Sequence, residues 1–390
     1  MSSKRGFVKR RGSTWTAYWK VDTPTGLRQR TKGGFVTRRE AQAFLAETVA
    51  GIQTGRFTEP SKLTLADYLL NRWIPGRVAS VRPSTLDSYR RLIDRRIIPS
   101  LGHVRLQHLG PDHLDAFYAE LLAEGLAAKT VRNVHTLMHK ALRDAVRKDL
   151  VPRNVADAAD PPRLSRPGEN EMKTWSIDDV RAFFVAIAEH PLGVAYTLAA
   201  TTGMRRGEIL GLRWTDIDLE NRRLTVSHTI LSVGYTITEG TPKTARGRRT
   251  IVLDADTVRL LEQYRGLRPP SNARPALGRD LVFVRDDGGP VHPDYFSQTF
   301  DRTVKRLGLP RIRLHDMRHT HATLGLAAGI PVKIMSERLG HATTAFTQDV
   351  YMHSIPALEE AAADRIGSLL FPEASTPEAE RDDEPPADEA

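Results

Sequence analysis

The chain has 390 residues, enough for two or three domains each burying its own core, which excludes a single small module. Its formal net charge is +10, yet the last twenty residues hold eight acids against one base, so the body before them carries +17 and suits a polyanionic partner held in a salt-dependent way. The absence of cysteine excludes disulfides and thiolate metal sites and points to the cytoplasm, and no apolar run approaches the roughly twenty residues a bilayer span needs.

Residues 1–58 alternate like strands and then turn helical. Trp15, Ala17, Trp19 and Val21 share one face of a strand, and Pro24-Thr25-Gly26 supplies a turn. The following run places Arg28, Arg30 and Lys32 on one face. Thr37 then serves as an N-cap, with Glu40 three residues on completing a capping box before Ala41, Phe44 and Leu45. A basic sheet face of this kind can enter a major groove, so the segment reads as an accessory DNA-binding domain of one small sheet and one helix.

Residues 62–160 are helical throughout. Thr64 and Ser84 are expected N-caps, and Pro83 and Pro99 mark boundaries. Leu114, Phe117, Leu121 and Leu122 form one apolar stripe, and Val131, Val134, Leu137, Met138, Leu142 and Val146 form another on a helix from Lys129 to Lys148, with basic residues on its other faces. Four helices with a basic surface follow. Residues 161–171 are rich in Pro and charge and read as a linker.

Residues 172–370 mix helices and strands. Helical periodicity from Leu192 ends at Thr202-Gly203-Met204-Arg205, a corner that aims Arg205 into a cleft, and a second helix resumes through Ile209 and Leu212. Arg206 competes for the same role, and Glu208 is placed to buttress an arginine. Strands at Leu224–His228 and Arg249–Leu253 flank a turn with Lys243, the only lysine between Lys173 and Lys305. His315 and Arg318 open a further helix three residues apart, hence on one face. Gly329-Ile330-Pro331 breaks that helix, a short one follows, and Gly340-His341 ends it. Tyr351 comes ten residues later, and Leu358, Ala362, Ile366 and Leu369 recur at helical spacing. Residues 371–390 are acidic and Pro-rich, the composition of a disordered tail.

These residues can act together on a phosphodiester. Two guanidinium forks, Arg205 and Arg318, can bind its non-bridging oxygens without a metal ion. The Tyr351 phenol can attack phosphorus if its proton is drawn off and the departing 5′ oxygen receives one, and Lys243, His315 and His341 are the candidates for that traffic. His315 and His319, at i and i+4, invite a metal reading, but no Glu completes a zincin motif and no thiolate is available, so neither metal nor other cofactor is expected. A non-enzymatic regulator is the alternative, since Thr320 to His341 can be read as a helix-turn-helix with Gly329 in the turn.

The ordered set resembles the tyrosine recombinases, the phage integrase family. Thr202-Gly203-Met204-Arg205 resembles the first arginine box, Pro242-Lys243-Thr244 the family lysine, and His315-x-x-Arg318 the second arginine box. Leu339-Gly340-His341 resembles the third box in its His form, and Tyr351 with His353 the nucleophile motif. The resemblance implies a multidomain, mostly α protein with small β-sheets: an arm-binding domain, a helical core-binding domain and a mixed α+β catalytic domain. It implies DNA cutting and rejoining through a 3′-phosphotyrosine and a Holliday junction, without ATP or metal. It further implies a homotetramer on double-stranded DNA at core and arm sites, accessory bending or directionality proteins as further partners, and a tail helix that docks on a neighbour or on its own core.

Overall fold

The computed structural model describes residues 6–23, 26–53, 58, 60–164, 173–242, 247–267, 280–340, 366 and 370. The Pro24-Thr25 turn and the acidic tail lie outside these residues, as do most of the linker and all but two positions of the tail helix. Two units are present, Met1–Glu169 and Asn170–Ala390.

In the first unit, strands β1 (Gly6–Arg11), β2 (Thr14–Thr23) and β3 (Gly26–Phe35) form an antiparallel sheet in chain order, followed by helix α1 (Arg38–Gln53). The capping box is present: the Glu40 N–H donates to the Thr37 hydroxyl at 3.2 Å, and the Glu40 carboxylate accepts the N–H groups of Val36 at 3.1 Å and Thr37 at 3.5 Å.

Two expectations for the sheet are corrected. Pairing slips by one residue between Trp15 and Ala17, and Thr16 and Tyr18 are buried alongside Ala17 and Trp19 instead of alternating with them. The Phe7 ring, stacked on Tyr18 at 4.6 Å, covers that second face. The basic side chains also lie elsewhere than expected. Directly paired residues share a face, and Lys32 pairs with Ala17, Arg30 with Trp19 and Arg28 with Val21. Trp19 meets Phe44 of α1 at 5.6 Å, and the Lys32 ammonium lies 4.3 Å over the same Phe44 ring. Arg28, Arg30 and Lys32 therefore belong to the helix-backed face, where long basic side chains drape apolar stems over aromatic rings. The open face carries Phe7, Lys9, Tyr18, Lys20, Gln29 and Thr31.

The helical part of this unit comprises α2 (Leu65–Tyr68), α3 (Pro83–Leu92), α4 (Ile98–Leu101), α5 (Pro111–Ala123) and α6 (Ala128–Arg147). Thr64 caps α2, its hydroxyl accepting the Asp67 N–H at 3.1 Å. Ser84 is not a cap: Pro83 already occupies the first helical turn, and Arg82 takes the capping position. Pro99 marks a start: it lies in the first turn of α4, where a missing N–H costs no helical bond, and a π-helical turn at Ile93–Ile97 joins α3 to that turn. The stripe on α5 is Leu114, Phe117, Tyr118 and Leu121, with Leu122 turned outward, while α6 buries its expected stripe together with Asp144, except for Val146, which is half-buried.

Asp144 is the one acid buried in that core among the described residues. It accepts the Trp73 indole N–H at 2.8 Å and pairs with Arg77 and, at 2.6 Å, Arg147. Replacing it with alanine strands a buried indole N–H and a guanidinium at once. Asp144→Ala is expected to cost about 3 kcal/mol in urea-induced unfolding of this unit.

The second unit comprises α7 (Ile177–Ala186), α8 (Gly193–Thr202), α9 (Arg206–Leu210), strands β4 (Ile217–Asp218), β5 (Arg223–Val226), β6 (Thr229–Val233), β7 (Thr236–Gly240) and β8 (Arg249–Val252), then α10 (Ala255–Leu267), α11 (Pro293–Arg306), α12 (Asp316–Ala327) and α13 (Val332–Leu339). Helix α8 runs through the centre, with Tyr196 stacked on Phe296 at 4.6 Å and its hydroxyl donating to the Phe296 carbonyl at 2.9 Å. The sheet order is β4-β5-β8, and β6 and β7 form a separate hairpin between β5 and β8. The stretch carrying Lys243 thus falls in sequence between β7 and β8, and Lys243 itself lies outside the described residues. Helix α9 lies hard against β6: a Cβ on Gly207 would sit 2.6 Å from the Ile230 carbonyl oxygen, so only glycine fits.

Candidate active site

Helix α8 ends in a left-handed residue, Gly203, with φ of 64°. A side chain there would be strained and would also meet Leu339 at 2.6 Å and His321 at 2.8 Å. The corner turns the chain into α9, for which Arg205 is the N-cap residue. Its own N–H donates to Glu208 Oε2 at 2.9 Å, and its Nη1 to Glu208 Oε1 at 2.8 Å. The Arg205 side chain remains 41% exposed, whereas that of Glu208 is 3% exposed: the buried acid holds one Nη of a guanidinium that stays partly open to solvent. Arg206 turns away to α11, where it donates to the Pro293 carbonyl at 3.1 Å, Asp294 at 3.2 Å and Ser297 at 2.9 Å.

His315 is the N-cap residue of α12, and Arg318 follows in its first turn. Arg318 is buried. Its Nη1 donates to the Gly203 carbonyl at 2.7 Å and its Nη2 to the Leu339 carbonyl at 2.6 Å. The second arginine is thereby fixed to the corner that presents the first and to the end of the helix that precedes His341. Of the six residues singled out from sequence, Arg205, His315 and Arg318 are brought together; Lys243, His341 and Tyr351 with His353 lie outside the described residues.

The electrostatics around His315 follow from these neighbours. Burial lowers its pKa first, then the charge of Arg318; Asp316 opposes, and Arg205 and Arg313 add to the lowering. His315 is open to solvent on one side and meets His319 edge to face at 5.3 Å. Burial and the neighbouring His315 push His319 down to about 4. Burial also raises Glu208 on its own account, but the charge and hydrogen bond of Arg249, with the contacts of Arg205, outweigh it and hold the carboxyl below its usual range.

Four supporting residues were not found from sequence. Arg249, at the start of β8, donates from Nη2 to Glu208 at 3.0 Å and from Nε to the Arg338 carbonyl at 2.6 Å. Arg338 donates from Nη1 to the Val252 carbonyl and from Nη2 to the Thr201 carbonyl, both at 3.0 Å, and from Nε to His321 Nε2 at 3.3 Å. His321 Nδ1 lies 2.8 Å from the Ala200 carbonyl oxygen. A carbonyl only accepts and an arginine Nε only donates, so His321 is the neutral Nδ1–H tautomer. Asp316, the fourth, holds Arg313 through its backbone N–H at 2.8 Å and its guanidinium at 2.8 and 3.0 Å. These partners of Arg249 and Arg338 are 17 to 137 residues away in sequence, and no local pattern announces them.

A helical domain followed by a mixed domain with two clustered arginines is a fold shared with DNA integrases. The Tn1549 transposon integrase, solved with a circular intermediate DNA, superposes with a TM-score of 0.68 at 22% identity, over 78% of this chain and 99% of that one. A lambda integrase tetramer bound to a Holliday junction gives a TM-score of 0.58 at 19% identity, over 89% and 95%. A XerC-like tyrosine recombinase of Caldanaerobacter subterraneus subsp. tengcongensis is 27% identical over 358 residues, 86% of this chain and 90% of its own. Family models for phage integrase, the phage integrase N-terminal SAM-like domain and an arm DNA-binding domain match residues 178–357, 64–122 and 4–50. The chain belongs to the phage integrase family and is a tyrosine recombinase, an enzyme of DNA strand transfer. The comparisons lend no support to the helix-turn-helix regulator, and α12 and α13 close on a small core of their own, Ala322, Leu326, Met335 and Leu339.

The neutral histidines make stability pH-dependent. Burial holds His321 at about 4 in the folded protein, against about 6.5 when unfolded, so the unfolded chain binds more protons between those values. Stability present above pH 6.5 is therefore lost as the pH falls towards 4. The urea midpoint of the catalytic unit is expected to drop over that window, and His321→Phe should lower the plateau and shrink the step, His319 supplying the remainder.

Proposed function

We propose that the six residues form one strand-transfer centre acting on double-stranded DNA. Arg205 and Arg318 bind the non-bridging oxygens of the scissile phosphate, where charge accumulates as the phosphorus gains a fifth oxygen. The Tyr351 oxygen bonds to phosphorus and the bond to the 5′ oxygen breaks. The phenolic proton leaves to a base, for which neutral His315 is suited, and the 5′ oxygen takes a proton from Lys243; His341 completes the phosphate cradle. The 5′ hydroxyl of a partner strand later reverses the reaction, so the ester energy is conserved and no ATP is consumed.

The observation that carries this reading is the pair of bonds from Arg318 to the Gly203 and Leu339 carbonyls. They link the stretch carrying the first arginine, the second arginine itself and the residue two before His341. The lowered pKa of His315 keeps a proton acceptor available at neutral pH. Two exchanges through a Holliday junction require four protomers on two sites, the assembly seen for lambda integrase. The arm-type domain, residues 1–58, engages its own duplex sites through the open sheet face with Lys9 and Lys20. Residues 62–160 and 172–370 each bind core-site DNA, and residues 161–171 link them in sequence. The substrate places the enzyme in the cytoplasm; among the described residues no helix is long and apolar enough to cross a membrane.

Incubating the protein with a random library of nicked duplexes and sequencing the covalently captured ends identifies the core site. Tyr351→Phe is expected to bind that duplex with unchanged affinity and form no adduct, and Arg318→Ala to slow adduct formation about 10²- to 10³-fold. An adduct formed by Tyr351→Phe refutes the assignment.

A further inference from the structure

The buried guanidinium of Arg249 is the side chain on which the separate parts of the site converge, and nothing in the chemistry above assigns it a task. Its side chain is 7% exposed. Nη2 donates to Glu208 Oε2 at 3.0 Å, Nε to the Arg338 carbonyl at 2.6 Å, and Nη1 to the Gly247 carbonyl at 3.3 Å. Glu208 Oε2 is the same oxygen that accepts the Arg205 N–H, while Oε1 holds the Arg205 guanidinium. Arg338 stands three residues before His341, and in sequence Lys243 stands six residues before Arg249, which opens β8.

We infer that Arg249 is a positioning residue for strand cleavage, acting on Arg205 through Glu208. The inference rests on the reading of Arg205 as a phosphate ligand. A carboxylate shared by two guanidinium groups holds each less tightly than a carboxylate with one. With Arg249 in place, Glu208 is already charge-matched from the interior, and Arg205 is braced without being claimed outright. Take Arg249 away and Arg205 is the one ion partner left to the buried carboxylate among the described residues. Arg205 is then drawn inward against it and away from the phosphate oxygens. Lysine cannot substitute, because an ammonium lacks the planar fork that reaches the Glu208 carboxylate and the Arg338 carbonyl together.

The test uses the full-length protein and the nicked duplex captured by the wild type from the random library. Arg249→Lys is expected to bind that duplex within about threefold of wild-type affinity and to keep its thermal midpoint within about 3 °C. Its single-turnover rate of adduct formation should fall about 10- to 100-fold. In an Arg205→Ala background the same change should cost less than about twofold more, because the group through which Arg249 acts is gone. A wild-type cleavage rate for Arg249→Lys, or a full further loss in the Arg205→Ala background, overturns the inference and leaves the proposed function standing. If the wild type forms no Tyr351-dependent adduct, the proposed function fails and this inference with it. Should Arg249→Lys lose its folded circular dichroism signal, Glu208→Gln/Arg249→Met, which leaves neither member of the buried pair charged, replaces it. That variant is expected to bind DNA and to cleave slowly, and cleavage at the wild-type rate overturns the inference.

Discussion

The candidate centre depends on where two helices end. Helices α8 and α13 terminate at the same place, and each leaves carbonyl oxygens with no partner within its own helix. Those of Ala200, Thr201 and Gly203 on one side and Arg338 and Leu339 on the other are met by His321, Arg338, Arg318 and Arg249. Partial negative charge at the helix ends favours cations at just this position. The arrangement collects positive side chains around a carbonyl-rich floor, with the buried carboxylate of Glu208 bridging Arg205 and Arg249 among them. A site that must welcome a dianionic reaction intermediate is thus held together chiefly by neutral acceptors, which stabilise buried guanidinium groups without cancelling their charge.

The histidines follow the same logic. A protonated His321 would set a second proton against Arg338, and a protonated His315 would add charge beside Arg318 and Arg205. Burial and these cations act in one direction on both rings. The cost of gathering arginines is therefore met by keeping the intervening imidazoles neutral, which also leaves a ring nitrogen able to take up a proton at neutral pH.

How much of this could be read from sequence depended on the range of each interaction. Local signals were legible: the Thr37–Glu40 capping box, the Gly203 and Gly340 helix ends, the apolar stripe of α6 and the corner carrying Arg205 all rest on residues within four positions of one another. Glu208, three residues from Arg205, was visible as a buttress for the same reason. Arg249 and Arg338 were not, because their partners lie on other elements and include backbone carbonyls, which carry no residue signature. Periodicity also misled where the backbone departs from a regular repeat. The slip in β2 put both of its faces into contact with other groups, and the π turn at Ile93–Ile97 joined two helices that the pattern did not separate in that way. In β3 the alternation correctly grouped Arg28, Arg30 and Lys32, but a two-residue repeat cannot say which side a following helix will cover. The phosphate-cleft assignments of Lys243, His341 and Tyr351 rest on the ordered motifs.

Anchoring by main-chain oxygens has a consequence for how such an enzyme can be altered. Every amino acid carries a carbonyl, so Ala200 and Thr201 offer the same acceptors whatever side chain replaces them, and the tether survives drift at those positions. The donors have no such latitude. A library intended to redirect the enzyme to new DNA sequences can therefore vary the receiving segments widely, provided Arg249, Arg318 and Arg338 and the left-handed glycines that end α8 and α13, Gly203 and Gly340, are kept as written.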